Sequence, residues 1–340
     1  MPQRPRLTPQ MADVRRAVRE ALEAQQLDPN SLVLVACSGG PDSLALANAV
    51  AFEAPRMNLR AGAVVVDHNL QQGSDLVARR AADQCESFGL NPVVIMQVNV
   101  SQTGEGLEAS ARSARYAALA EARVELEAQV VMTGHSLEDQ AETVLLGLAR
   151  GSGLKSISGM PGFDPERKLL RPLLGIQREA LRKSLIDQGI EFWEDPHNQD
   201  RSFARVRVRN LLSTLEAELG PGFVQGLSRS AELAANADDF LAAQATELEQ
   251  RIRVGQGSKR VSYPISELAD LHLALLGQFI KLVCERAGAT GVSLVQVETI
   301  SRLISDWHGQ KPTQLSGITV ERVKDHLVFT SKPKAGASCS

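Results

Sequence analysis

An apolar run, a glycine-rich turn and an alanine-rich segment follow one another at residues 32–50, and this order constrains the fold most. The apolar run predicts a buried strand, and the last segment predicts a helix. Between them, Gly39 and Gly40 allow a sharp turn with exposed amide groups, and Pro41 suits the first helical position. A helix start of this kind attracts anions through its unpaired N–H groups and its dipole. The sequence therefore predicts a phosphate site between a strand and a helix.

The turn itself, residues 38–43, narrows the class of nucleotide site. It reads Ser-Gly-Gly-Pro-Asp-Ser, without the Gly-Lys-Ser/Thr ending of a Walker loop or the Gly-x-Gly-x-x-Gly of dinucleotide-binding proteins. Two glycines alone are equally compatible with an ordinary strand-to-helix turn. The whole hexapeptide resembles the PP-loop, the pyrophosphate-binding signature of enzymes that split ATP into AMP and pyrophosphate.

Composition excludes several other classes of protein. A chain of 340 residues with 43% hydrophobic and 23% charged residues is typical of a globular protein with room for two domains. No run approaches the roughly 20 apolar residues needed to span a bilayer, and the first residues lack the apolar core of a signal peptide. We therefore expect a cytoplasmic protein with no membrane partner. The four cysteines form no Cys-x-x-Cys pair, which argues against zinc and iron–sulfur sites, and nothing in the composition fixes the oligomeric state.

Strand and helix patterns alternate through the first half of the chain. Residues 61–68, 92–98 and 130–134 read as buried strands separated by helical segments, which predicts an α/β fold with a doubly wound, Rossmann-like parallel sheet. Asp67 and His68 end the second strand, at the edge of such a sheet where ligands bind. An isolated histidine there is more often a packing residue than a catalytic one.

Two pairs of charged side chains are spaced three residues apart in predicted helices, so each pair shares a helix face. Arg112 and Arg115 could hold a phosphate, or they could lie on a solvated helix face. Asp139 and Glu142 fall in the first turns of a helix that begins near Glu138. Acidic residues there either stabilise the helix dipole by about 0.3–1 kcal/mol each or hold a cationic substrate or a metal.

Six blocks of the sequence resemble, in the same order, the tRNA(Ile)-lysidine synthetases of the PP-loop superfamily. They cover residues 38–43, 66–70, 106–116, 138–143 with 150–153, 170–174 and 193–198. The resemblance implies an ATP-dependent ligase with ATP and Mg²⁺ as cofactors. Such an enzyme adenylates C2 of the wobble cytidine in an isoleucine tRNA with a CAU anticodon and then joins free L-lysine there, releasing AMP and pyrophosphate.

The family's site residues transfer to matching positions of this chain. The resemblance implies ATP binding by Ser38, Gly39, Gly40, Pro41, Asp42, Ser43, Asp67, Arg112 and Arg115. It also implies that Asp42 steers Mg²⁺ and that Asp139 and Glu142 hold lysine, either of them serving as the base. The chain departs from the family at Asn69 and Gln71, which replace glycine and arginine after Asp-His, and at residues 135–139, where His-Ser-Leu-Glu-Asp replaces His-x-x-Asp-Asp.

The densest positive charge lies beyond this region. Arginines alternate with apolar residues near residue 205, and Val206 stands where the family usually has asparagine. A solvated helix face is the alternative to an RNA contact here. On family grounds the predicted tRNA-binding residues are Arg171, Arg201, Arg205, Arg207 and Arg209.

The turn at residues 220–222 predicts a domain boundary. We expect a PP-loop catalytic domain at residues 1–219, a mainly helical tRNA-binding domain at 220–330 that ends in a small hairpin at 317–330, and a flexible tail at 331–340. Two other functions use the same phosphate cradle: a PP-loop tRNA thiolase, which needs cysteines that this chain does not place in pairs, and a module that senses ATP without catalysis.

Overall fold

The computed structural model describes residues 7–69, 73–98, 107–151, 153–194, 204–254 and 260–332. The chain divides into two compact units, Met1–Leu146 with Gly159–Ser230 and Gly147–Ser158 with Ala231–Ser340. The predicted boundary at residue 220 and the predicted domain roles stay predictions. The predicted tail lies outside the described residues from position 333 onward.

A six-stranded sheet organises the first unit. Its strands are β1 Leu32–Ala36, β2 Arg60–Asp67, β3 Val93–Gln97, β4 Val130–Thr133, β5 Phe163–Asp164 and β6 Leu169–Leu170. The strand order is β3-β2-β1-β4-β6-β5, and all neighbouring pairs are parallel except β5 with β6. The predicted parallel sheet is confirmed, with the short β5–β6 pair as an addition at one edge.

Helices connect these strands and continue beyond them. They are α1 Pro9–Ala24, α2 Pro41–Glu53, α3 Ser74–Ser87, α4 Leu107–Glu125, α5 Leu137–Arg150, α6 Gly153–Ile157, α7 Arg178–Ile186, α8 Ala204–Leu219 and α9 Phe223–Ile252. None of the helices in the described ranges is long and apolar enough to cross a membrane.

Both faces of the sheet are covered, as a doubly wound fold requires. On β1, Val33 and Val35 join a core that includes Leu44 of α2, whereas Leu32 and Leu34 join a second core on the opposite face with residues of α4. The alternation follows from the two-residue period of a strand. Because both faces are buried, β1 reads as a continuous apolar run in the sequence.

The topology fixes where a ligand can enter. From β1 the chain moves outward to β2 and β3, and then returns to place β4 on the other side of β1. In open α/β sheets, ligands bind in the crevice at the carboxyl ends of the strands where the strand order reverses. Here that crevice lies between the ends of β1 and β4, at Ala36 and Thr133.

The second unit combines helices with an antiparallel sheet. Its later helices are α10 Ile265–Leu268, α11 Leu273–Arg286 and α12 Leu294–Ser305, and its strands are β7 Arg260–Pro264, β8 Thr313–Leu315, β9 Ile318–Val323 and β10 His326–Ser331. The predicted hairpin corresponds to β9 and β10, and β7 and β8 extend it to four strands in the order β7-β10-β9-β8. The short β8, and β7 beyond a stretch outside the described residues, carry too few alternating residues for sequence periodicity to find them.

Three aromatic rings form the centre of this second core. Tyr263 meets Phe279 edge to face at 5.0 Å between ring centroids and Phe329 at 5.8 Å, and all three are buried. The Tyr263 hydroxyl donates to Glu249 Oε1 at 2.7 Å, and Arg286 pairs with Oε2 of the same carboxylate at 2.6 Å. The buried carboxylate is therefore neutralised and hydrogen-bonded, as its position requires.

We expect Phe279→Ala to destabilise the second unit by about 3–5 kcal/mol, because it removes a fully buried ring and leaves a cavity. Leu273→Ala on the same helix is the matched control, since that side chain is 78% exposed and its truncation costs little. Urea unfolding followed by circular dichroism measures both. Equal midpoints for the two variants would contradict the packing described.

Candidate active site

The loop after β1 is held in a conformation that glycine permits. Gly39 has φ +77°, in the left-handed region, and its carbonyl accepts a hydrogen bond from the Trp193 amide at 3.0 Å. Ser43 Oγ accepts from the Ser38 amide at 3.1 Å and donates to the Gly40 carbonyl at 3.0 Å. These contacts fix the turn through which β1 enters α2, with Pro41 as the first helical residue.

A second loop approaches this turn closely. A Cβ atom at Gly134 would lie 2.8 Å from the Asp42 carbonyl oxygen and 3.1 Å from Ser43 Cα, so only glycine fits there. Gly134 follows β4 directly and precedes α5. The contact brings the first turn of α5 beside the first turn of α2.

The two loops border a cavity of about 770 Å³ at the carboxyl ends of β1, β2 and β4. From the predicted ATP-binding set, its lining includes Ser38, Gly40, Pro41, Asp42, Ser43 and Arg115. Asp67 is buried, and its Oδ1 accepts from the Asn69 amide at 3.0 Å. It closes the turn after β2 and is not among the cavity-lining residues, unlike the neighbouring His68.

One side of the cavity is acidic and is organised by Arg178, which the sequence analysis missed. Its Nε lies 3.3 Å from Asp42 Oδ2, and its Nη2 lies 2.9 Å from Asp139 Oδ1 and 3.8 Å from Glu142 Oε1. Arg209 Nε donates to the same Glu142 oxygen at 2.8 Å. The predicted acidic residues are thus brought together, with two guanidinium groups among them.

Arg178 stands 136 positions from Asp42, so spacing cannot link them. A local signal does exist, since Arg178 is the first residue of α7 and a cation is unfavourable at a helix N-terminus. Such a mismatch indicates acidic groups nearby. Glu138 supplies one, because its Oε2 accepts from the Arg178 amide at 2.9 Å.

The three carboxylates differ in how many of their oxygens are engaged. Both oxygens of Asp139 are in use, because Oδ2 accepts from the Ser136 amide at 2.9 Å and Oδ1 pairs with Arg178. Asp42 Oδ1 and Glu142 Oε2 are buried without a hydrogen-bond partner among the described residues. An unsatisfied buried acceptor is costly, so these two oxygens are suited to an incoming cation or proton donor.

Burial and like charge shift the proton affinities of these groups. Burial, Asp139 and Glu138 raise the pKa of Asp42 to about 6, although Arg178 acts in the opposite direction. Burial and Asp139 likewise raise the pKa of Glu142. Burial also acts to raise the pKa of Asp139, but Arg178 and the Ser136 amide outweigh it and lower that pKa.

The other side of the cavity carries positive charge. Arg115 and Arg205 line it, and Arg112 and Arg115 lie over the Tyr116 ring at 5.0 and 5.3 Å. Burial, together with the nearby Arg115, Arg171 and Arg112, lowers the pKa of His135 to about 3 against the opposing effect of Asp139. His135 is therefore neutral at physiological pH. The cavity has a cationic side and an acidic side.

The arginines predicted to bind tRNA do not share one surface. Residues 204–219 form helix α8, and a period of 3.6 places Arg205 and Arg209 on one face and Arg207 on another. Val206 between them is buried. Arg171 is only 5% exposed and donates to the Pro161 carbonyl at 2.8 Å. Arg201 lies outside the described residues, as does Gln71.

Magnesium fits this site as a partner of substrate phosphate. Among the described residues, no group of three or more His, Cys, Asp or Glu side chains is arranged to hold a metal ion alone. The buried, unpartnered Asp42 Oδ1 offers one carboxylate oxygen. One carboxylate completed by phosphate oxygens and water is the usual environment of Mg²⁺ at nucleotides.

Comparison with protein families identifies both parts of the chain. Residues 11–216 match the PP-loop domain family, and residues 264–328 match the TilS substrate binding domain. The solved U34-tRNA thiolase of Methanococcus maripaludis is similar with a TM-score of 0.57 and 20% identity, covering 66% of this chain and 80% of the thiolase. That likeness concerns the fold alone.

Three curated proteins with similar sequences carry a single name, and the similarity covers most of the chain. A protein named tRNA(Ile)-lysidine synthase from Leifsonia xyli is 44% identical, covering 89% of this chain and 91% of the relative. Proteins of the same name are 44% identical in Streptomyces coelicolor, covering 86% and 82%, and 43% identical in Thermobifida fusca, covering 95% and 98%. The similarity extends through both units.

Gly134→Ala should destabilise the first unit by about 1–3 kcal/mol and weaken ATP binding, because the added Cβ pushes the two loops apart. Gly175→Ala is the control, since a Cβ there meets nothing within 4 Å. Urea unfolding and ATP titration calorimetry measure both effects. An alanine at 134 that leaves both values at those of the control would refute the close approach.

Proposed function

The chain belongs to the tRNA(Ile)-lysidine synthase family and is a PP-loop enzyme that uses ATP to form lysidine in tRNA, and from this premise we propose the course of its reaction. The proposed nucleophile is free L-lysine, and the proposed acceptor is C2 of the wobble cytidine in a tRNA(Ile) with a CAU anticodon. We place the reaction in the cytoplasm, where ATP, lysine and tRNA meet.

The two-sided charge of the cavity supports this reaction best. The triphosphate carries close to four negative charges and suits the loop of residues 38–43, the α2 N-terminus and Arg115. The lysine side chain is a cation and suits the acidic side, where Asp139 lines the cavity and Arg178 joins it to the more deeply buried Glu142, whose Oε2 has no hydrogen-bond partner among the described residues. A single cavity can therefore hold both substrates with their reacting ends facing the same space.

In the proposed first step, the C2 oxygen of cytidine attacks the α-phosphorus of ATP, and the bond to pyrophosphate breaks. Negative charge grows on the departing pyrophosphate, and amide groups of the loop together with Arg112 and Arg115 stabilise it. Asp42 would hold Mg²⁺, which neutralises phosphate charge when bound. The activated tRNA then carries AMP on the C2 oxygen.

In the proposed second step, the lysine side-chain nitrogen attacks C2, a C–N bond forms, and the C2–O bond to AMP breaks. The amine must first lose a proton, because with a pKa near 10.4 only about one molecule in 2,500 is unprotonated at pH 7. We assign Glu142 as the acceptor of that proton. Its Oε2 is unpartnered and its pKa is raised, whereas both oxygens of Asp139 are already engaged.

A product assay tests the proposed function. The protein is incubated with ATP, Mg²⁺, radiolabelled lysine and a CAU-anticodon tRNA(Ile) transcript, and AMP, pyrophosphate and tRNA-bound label are measured. We expect all three products in equal amounts, and no label on a transcript with a different wobble base. A thiolase would attach no lysine, and an ATP sensor would release no pyrophosphate.

We expect Asp42→Asn to abolish pyrophosphate release while leaving the fold intact, because the substitution removes the anionic oxygen offered to Mg²⁺. Asp75→Asn is a matched control, since Asp75 also lies in the first turn of a helix but is exposed outside the cavity. Initial rates over a range of Mg²⁺ concentrations measure the effect. A normal rate in the Asp42 variant would remove this residue from the metal site.

Glu142→Gln should raise the KM for lysine about 10- to 150-fold, since a charge-assisted contact is worth roughly 1.5–3 kcal/mol, and should also lower kcat, since the amide cannot accept the proton. Asp139→Asn should act in the same direction more weakly, because its carboxylate holds Arg178 and has no unpaired oxygen. The KM for ATP should not change in either variant. Steady-state kinetics decide: a change confined to ATP would place these carboxylates on the metal instead.

For tRNA, we propose that Arg205 and Arg207, on different faces of α8, each contact a backbone phosphate. Their joint replacement by Gln should weaken cognate and non-cognate tRNA alike and flatten the salt dependence by roughly 0.7–0.9 log unit per lost contact. Arg60→Gln is the control, since Arg60 is exposed at the amino end of β2. Binding titrations at several salt concentrations measure the slope, and an unchanged slope would assign these arginines to contacts within the protein.

A further inference from the structure

Arg178 has no place in the reaction described so far, although its guanidinium group contacts three of the acidic groups that the reaction uses. We propose that Arg178 is a positioning residue that couples the adenylation site to the lysine site by holding Asp42, Asp139 and Glu142 in one arrangement. The inference rests on the proposed function. It concerns how one side chain serves two half-reactions.

The side chain of Arg178, at the start of α7, contacts carboxylates in the first turns of α2 and α5. Asp42 lies in the first turn of α2, Asp139 and Glu142 lie in the first turns of α5, and Arg178 begins α7. Its Nε faces Asp42 at 3.3 Å, and its Nη2 faces Asp139 at 2.9 Å. The planar guanidinium group can donate in both directions at once. The ammonium group of a lysine lacks this planar arrangement of donors and does not extend over the same distance.

The main chain of Arg178 is fixed as well. The residue before it, Gln177, caps α7 without a side-chain hydrogen bond, and Glu138 Oε2 instead accepts from the Arg178 amide at 2.9 Å. Glu138 adjoins Asp139 on α5, so one helix turn holds both ends of the arginine.

The contacts of Arg178 leave one carboxylate oxygen of Asp42 and one of Glu142 without a partner among the described residues. Arg178 engages Asp42 Oδ2 and approaches Glu142 Oε1, whereas Asp42 Oδ1 and Glu142 Oε2 are buried and unpartnered. In the proposed reaction, Asp42 Oδ1 serves the phosphate groups and Glu142 Oε2 serves the lysine amine. Without the guanidinium group, the neighbouring carboxylates would repel one another and rotate. Both half-reactions would then lose their orientation together.

The test measures each half-reaction separately. Pyrophosphate release with tRNA but without lysine reports adenylation, and the KM for lysine reports the amine site. We expect Arg178→Gln to slow the first at least 10-fold and to raise the second at least 10-fold. Arg178→Lys should recover only part of each, because its single nitrogen replaces the two separate nitrogens that donate to Asp42 and Asp139.

A rescue experiment separates positioning from general stability. Added guanidinium at millimolar concentration, below denaturing levels, should restore part of both activities in Arg178→Gly and should not affect wild type. Lys183→Gln is the matched control on α7: Lys183 is 55% exposed, pairs with Glu179 at 3.6 Å and should leave both activities unchanged on substitution. Thermal unfolding of every variant reports the fold.

Glu138→Ala keeps Arg178 itself and provides the second line of evidence. It should impair both half-reactions in parallel, and combined with Arg178→Lys it should give less than the product of the separate losses. If the Arg178 variants fail to fold, a parallel loss in Glu138→Ala supports the inference, and a loss of thermal stability alone overturns it. Wild-type values for Arg178→Gln in both assays also overturn it. Failure of wild type to attach lysine refutes the proposed function instead.

Discussion

The structure of the site depends on one close approach, between the loop that leaves β1 and the loop that leaves β4. Adjacent parallel strands place their carboxyl ends side by side, and the absence of a side chain at Gly134 lets the second loop contact the Asp42 main chain. Two helix N-termini then point into the same crevice. A phosphate cradle and a pair of carboxylates become neighbours through topology, although about a hundred residues separate them in the chain.

The same close approach of the two loops brings several buried carboxylates together, and their negative charges need compensation. Asp42, Asp139 and Glu142 are largely buried near one another, and each isolated buried charge would cost several kcal/mol. Arg178 and Arg209 offset part of that cost with ion pairs of 2.8–3.3 Å. The compensation is incomplete, which explains why burial and like charge still raise the pKa of both Asp42 and Glu142.

The sequence predicted the features that depend on neighbouring residues and missed the contacts between residues that are far apart in the chain. The strand, turn and helix around Gly39, and the carboxylates at Asp139 and Glu142, depend on contiguous residues or on one helical period. The structure brings the turn and Asp139 to one cavity and places Glu142 beside Arg178, which lines it. Arg178 and Arg209 reach this cavity only through tertiary packing, from 136 and 67 positions away from their partners. The arginines near residue 205 alternate with apolar residues in the sequence, but the segment is a helix, so the alternation does not place them on one face.

Net charge alone does not explain how the acidic side would select an amine in the proposed reaction. Arg178 and Arg209 already occupy one oxygen of each carboxylate of the proposed lysine site, so a diffuse cation would gain little there. What remains is a single acceptor, Glu142 Oε2, in a side chain that is 1% exposed. In the proposed reaction, an amine that donates to this oxygen would satisfy it, and an analogue without that donor would leave it unsatisfied. Sites built on a buried hydrogen-bonding group discriminate against such analogues far more strongly than apolar pockets do. In the proposed reaction, selectivity for an aliphatic amine would therefore rest on the Glu142 oxygen that Arg178 and Arg209 leave unpaired.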